Sequence, residues 1–267
     1  MEEGSFIAGE ATWYRARMDL GISGRIALVT GASTGIALGI AQQLAGEGVR
    51  VAIASRSRSR IDAAAAATPG LTGFVHDTSD LTAAPALVTA VEEQLGPIDI
   101  LVASTGGPPA GADPLAFTAE QWRAAYEQLV LGSVALIEAV LPGMRERGWG
   151  RIVSISSTSI REPLDQLVLS TAHRTGLAAS LKTFARHVAA DGVTINSILP
   201  GRIATDRLVE NYGSIESAAE RARSEVPAGR LGSVAEVAAA ATFLCSDTAS
   251  YVTGVQLAVD GGLIRGL

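Results

Sequence analysis

Three side chains along one stretch are equipped for polar chemistry: Ser157, Ser170 thirteen residues on, and Arg174 four beyond that. Positions four apart on a helix share a face, so Ser170 and Arg174 are expected to point the same way. The chemistry open to such a set is hydrogen bonding and the stabilisation of negative charge. A serine hydroxyl is too weak an acid to donate a proton near neutrality without a strong base beside it. An arginine keeps its charge and offers donors to oxygen atoms, but does not shuttle protons. His173 is the neighbouring group that titrates near neutral pH. It stands as a candidate proton donor, against a plain packing role on the helix. Arg161, Glu162 and Asp165 precede this helix and read as a solvated loop. No His, Cys or carboxylate cluster has metal-ligand spacing.

These residues need a scaffold, and the pattern of the chain supplies one. Short, nearly continuous apolar runs fall at 25–30, 49–54, 71–76, 98–103, 151–155, 193–199 and 255–259, as strands buried on both faces require. Helical patterns fall between them, at 36–47, 58–67, 81–95, 119–147, 164–190 and 234–245. Strand–helix alternation implies right-handed crossovers, hence an α/β fold: a doubly wound, Rossmann-like parallel sheet of about seven strands with helices on both faces. The 267 residues, 48% hydrophobic and 18% charged, show no composition break, so one domain is expected over 23–267 after a loosely ordered arm at 1–22. The more polar segment 203–226 is expected to form a mobile cover over the strand ends.

The net charge of −6 and the absence of a basic stripe argue against nucleic acid as a partner. Residues 26–46 carry no charge, but their threonines, serines and glutamines argue against a membrane span, and the N-terminus does not read as a signal peptide. A single cysteine, Cys245, excludes an internal disulfide and reads as a packed thiol of a cytoplasmic protein.

The first strand runs into Thr30-Gly31-Ala32-Ser33-Thr34-Gly35-Ile36-Ala37 and a helix follows. Glycines there let the backbone turn tightly and bring helix N-terminal amides, and so Gly31, Ser33, Thr34, Gly35 and Ile36, close to a dinucleotide pyrophosphate. The second strand ends in Ser55-Arg56 where a carboxylate would hold ribose hydroxyls; Arg56 instead suits a 2′-phosphate, favouring NADP(H) over NAD(H). The alternative is a solvated basic helix start made by Arg56, Arg58 and Arg60.

At this point the chain resembles the short-chain dehydrogenase/reductase family, in particular members like 3-oxoacyl-carrier-protein reductases. The resemblance runs from about residue 20 to the C-terminus. Of the family's T-G-x-x-x-G-x-G motif, Thr30, Gly31 and Gly35 are kept and Ala37 replaces the third glycine. The resemblance implies cofactor contacts from Asp77 and Thr78 after the third strand, and from Ser104 and Gly106 after the fourth, where the family's N-N-A-G has become Ala103-Ser104-Thr105-Gly106. It also implies contacts from Pro200, Gly201, Ile203 and Thr205 in the segment resembling P-G-x-[IV]-x-T.

The family works with asparagine, serine, tyrosine and lysine. Here Ser157 matches the serine, while Leu129, Ser170 and Arg174 occupy the other three positions. The resemblance leaves Arg174 able to hold the nicotinamide ribose, but removes the family's proton donor. Three functions follow from this. The first is an NADP(H)-dependent oxidoreductase acting on a carbonyl or hydroxyl of a small molecule, with a non-standard proton source. The second is a catalytically degenerate partner of an active paralogue. The third is a non-redox cyclase, dehydratase or isomerase. The family resemblance further implies a homodimer or homotetramer formed through helices 119–147 and 164–190.

Overall fold

The structure, a computed structural model, describes residues 18–266. Residues 1–17 of the expected arm lie outside this range; Ile22, at its end, is buried in the core. Seven strands form one sheet: β1 Ile26–Thr30, β2 Arg50–Ser55, β3 Leu71–Val75, β4 Ile100–Ala103, β5 Gly150–Ile155, β6 Val193–Pro200 and β7 Gln256–Val259. Their spatial order is β3-β2-β1-β4-β5-β6-β7, and every pairing is parallel. All residues of β1, β4, β5 and β6 are buried, as a sheet covered on both faces demands.

The helices are α1 Gly35–Gly46, α2 Arg58–Ala67, α3 Ala84–Leu95, α4 Ala119–Tyr126, α5 Gly132–Glu146, α6 Val168–Val188, α7 Asp206–Tyr212, α8 Ile215–Glu225 and α9 Val234–Leu244. Ile40 and Leu44 of α1, Ile61 of α2 and Val237 and Ala241 of α9 cover one face of the sheet. Leu87 and Val91 of α3, Leu136 and Val140 of α5 and Leu177 and Leu181 of α6 cover the other. The strand order reverses direction between β1 and β4, which opens a crevice at the C-terminal strand ends.

Three local features differ from the sequence expectation, and each shapes that crevice. The helix expected over 119–147 is interrupted by a π-helical turn, Glu127–Leu131, which buries Leu129. Ser133 Oγ donates to the Leu129 carbonyl at 3.0 Å, giving a partner to a group at this irregular turn. At the first residue of α5, a Cβ on Gly132 would stand 2.2 Å from the Thr78 carbonyl oxygen, so only glycine lets α5 and the loop after β3 approach this closely. The long helix expected from 164 starts at Val168, after a 3₁₀ turn at Asp165–Leu167. The expected cover at 203–226 contains two helices. Buried Ala218 and Ala222 pin α8, Ser214 caps it through Ser217 N, and Arg207–Glu210 and Arg223–Glu220 pair at i,i+3.

Ala37 sits buried without disturbing α1, and the close approach falls instead at Gly39. There a Cβ would lie 2.1 Å from Val234 Cγ1 on α9. The helical stretch Ala119–Glu146 is long and apolar enough to cross a membrane, alone in this among the described residues; it packs against α3, α6 and the sheet.

Candidate active site

At the crevice, Thr30 Oγ1 donates to the Ser104 carbonyl at 2.8 Å and accepts from Ser104 N at 3.0 Å, locking the ends of β1 and β4 together. Gly31 turns with φ +62°, and a Cβ there would meet the Ser104 carbonyl at 3.0 Å. Gly35 opens α1 with φ +64°. Thr34 precedes that helix in extended conformation and makes no side-chain cap, so the first-turn amides keep no side-chain acceptor.

Two adjoining clefts meet here. One, of about 490 Å³, is lined by Ser33, Thr34, Ser55, Arg56, Ser57, Arg60, His76, Thr78, Ser104, Gly106 and Gln128, and no carboxylate faces it. Ser55 Oγ is buried there with no hydrogen-bond partner. Asp77, expected at the cofactor, sits on the turn after β3. Its carboxylate lines neither cleft and holds the turn after β3 by accepting from Ser79 N at 3.0 Å and Ser79 Oγ at 2.8 Å. Those bonds, the backbone one foremost, keep it below the usual aspartate range. Burial lowers the neighbouring His76.

The second cleft, of about 510 Å³, brings Gly31, Thr34, Gly35, Ile36 and Arg56 together with Ser157, Ser170, Arg174, Pro200, Gly201, Ile203 and Thr205. Ser157 follows β5, and its hydroxyl accepts from Ser159 N at 3.1 Å. Ser170 is buried on α6, and its Oγ accepts from Arg174 Nε at 3.0 Å. Arg174 Nη1 donates to the Ile155 carbonyl at 2.8 Å, tying α6 to the end of β5. No carboxylate pairs with this guanidinium among the described residues. Loss of hydration, with the like charge of Arg207 adding to it, pushes Arg174 down to about 10, still fully charged at neutral pH.

His173, three residues from Ser170 and one from Arg174 on α6, lines neither cleft. Its ring packs edge-on to Trp122 at 5.5 Å and against Tyr126 at 5.9 Å, and burial lowers its pKa. Sequence reasoning passed over Arg207, Tyr212 and Gln128, which the structure brings to the clefts. Gln128 had a signal, being next to Leu129, where the resemblance expects an asparagine; Arg207 and Tyr212 arrive only through the fold of α7. Among the described residues no group of His, Cys, Asp or Glu could hold a metal.

Comparison with known proteins extends over nearly the whole chain. A family model described as enoyl-(acyl carrier protein) reductase matches residues 31–264. Nodulation protein G of Azospirillum brasilense is 35% identical over 252 residues, covering 91% of this chain and 99% of that protein. The 3-oxoacyl-[acyl-carrier-protein] reductase MabA of Mycobacterium bovis is 33% identical, covering 91% of this chain and 94% of its own. Among solved structures, L-sorbose reductase of Gluconobacter frateurii, complexed with NADPH and L-sorbose, superposes with a TM-score of 0.86 at 31% identity, covering 94% of this chain and all of that one.

Proposed function

The chain belongs to the short-chain dehydrogenase/reductase family and is an oxidoreductase, and we propose that it is an NADP(H)-dependent enzyme of carbonyl or hydroxyl substrates whose proton comes from solvent. The observation that carries this is the single cleft in which Ser157, Ser170 and Arg174 meet the glycine turn of Gly31, Thr34 and Gly35.

The residues fit the cofactor. The glycine turn and the uncapped start of α1 suit a pyrophosphate. The unpartnered Ser55 Oγ, with Arg56, Ser57 and Arg60 in a cleft free of carboxylates, suits a 2′-phosphate. NADPH in the solved L-sorbose reductase supports this choice over NADH. Ser104, Gly106 and Thr78 would flank the adenosine half; Arg174, Pro200, Gly201, Ile203 and Thr205 would hold the nicotinamide half. Bound there, the nicotinamide supplies the hydride.

The protein's own part is electrostatic. Ser157 and the free N–H groups of Arg174 hydrogen-bond the substrate oxygen as negative charge grows on it. Ser170 does not donate the proton. Its hydroxyl orients Arg174 by accepting from Nε, and no base that would acidify it is bonded to it. With His173 lining neither cleft, water entering the cleft delivers the proton. The assembly is proposed to be a cytoplasmic homodimer or homotetramer built on α4–α5 and α6.

Fluorescence titration with NADPH and NADH, followed by NADPH oxidation across a panel of ketones and oxo acids, tests this. Tighter NADPH binding that Arg56→Ala selectively weakens, together with turnover, is expected. Equal binding of the two dinucleotides would overturn the cofactor assignment, and binding without turnover would favour a silent partner subunit.

A further inference from the structure

The charges in the reacting cleft narrow its substrate. Four arginines line it, Arg56, Arg174, Arg202 and Arg207, against one carboxylate, Asp206. Arg56 lies at the nucleotide end, and Arg202 is bonded to Glu225. Two cations remain for the substrate half.

Arg174 is the more telling. A guanidinium carries five N–H donors. Nε–H goes to Ser170 and one Nη1–H to Ile155, which leaves three with no protein acceptor. A poorly hydrated cation with open donors and no counter-charge is costly to keep, and the ribose hydroxyls expected on it are neutral. Arg207 adds a second positive charge. It lies across Gly107, where a Cβ would stand 3.1 Å from its Nη2, and donates to the Pro108 carbonyl at 3.3 Å. Its pair with Glu210 is solvent-exposed on both sides, so that carboxylate screens it weakly.

We infer that the cleft takes an oxo acid or hydroxy acid, with the substrate's carboxylate held by Arg207 in the positive field of Arg174, and its carbonyl or hydroxyl beside Ser157 and the open Arg174 donors. This rests on the reductase reading of the same cleft, and it sets the chain apart from a reductase of neutral thioesters. No covalent step is added: the carboxylate is a handle that docks the substrate.

Two measurements test it. In the protein–NADPH complex, calorimetric titration with acetate should show saturable binding in the millimolar range, while neutral acetamide shows none. In turnover, matched 2-oxo and 3-oxo acids should exceed their methyl esters by at least tenfold in kcat/KM. Arg207→Gln should bring that ratio towards one, and Arg207→Lys should restore it. Esters reduced as well as acids, or an acid preference untouched by Arg207→Gln, would overturn the inference. So would failure to reduce any acid by protein that binds NADPH. Failure to bind NADPH sinks the reductase reading instead; acetate binding by the free chain, lost in Arg207→Gln, would still support the anion site.

Discussion

Replacing Arg174 with methionine separates function from stability. Removing one partner of a buried ion pair normally costs about 3–5 kcal/mol, because the other charge is stranded. Arg174 has no such partner, so that penalty does not arise. Burial pushes its pKa down to about 10, so keeping the folded guanidinium charged costs roughly 3 kcal/mol. The folded pKa lies below the unfolded one, so this cost is present in full at every pH below 10 and is relieved only above it. Against it stand the two bonds to Ser170 Oγ and the Ile155 carbonyl, worth about 1.5 kcal/mol each because the donor is charged. The terms nearly cancel. Arg174→Met should therefore move the thermal midpoint of the free protein by less than about 4 °C. Losing a donor to the developing oxyanion should lower kcat/KM by about 10²–10³. Thermal unfolding with and without NADPH, beside steady-state kinetics, measures both. A midpoint drop of 10 °C or more would show the guanidinium to be a structural strut, and unchanged kinetics would remove it from the site.

Three further outcomes follow from named contacts. Gly39→Ala drives a methyl into Val234 Cγ1 and should cost about 1–3 kcal/mol by denaturant unfolding; Val234→Ala in the same chain should recover most of it. The double variant Ser170→Tyr/Arg174→Lys places a phenol and an amine on the reacting face and should raise turnover by about 10²-fold, with a high-pH limb absent from the parent. No gain would place the limit elsewhere in the cleft. Cys245, whose thiol burial pushes up to about 12, should resist a thiol reagent at pH 8 in the native state and react at once after unfolding.

The architecture was largely legible in the sequence because parallel strands buried on both faces leave unbroken apolar runs. All seven expected strands lie within two residues of the observed ones. The glycine turn was legible because positive φ at Gly31 and Gly35 excludes most other residues. The Ser170–Arg174 pairing followed from helical periodicity alone. What escaped was set by neighbours. The π turn that buries Leu129 depends on how the 119–147 helix packs on α6 and the sheet. The two cover helices draw on salt bridges and alanine burial that a polar segment does not advertise.

Sequence by itself determined which side chains stand one helical turn apart: Ser170, a weak acid, and Arg174, a cation, share one face of α6 because four residues make about one turn. Tertiary structure decided which groups meet in the cleft. It packed His173 against Trp122. Through α7 it brought in Arg207, thirty-three residues beyond Arg174 in the chain. A cleft is a junction of distant segments, so its charge balance exists only after the chain has closed on itself.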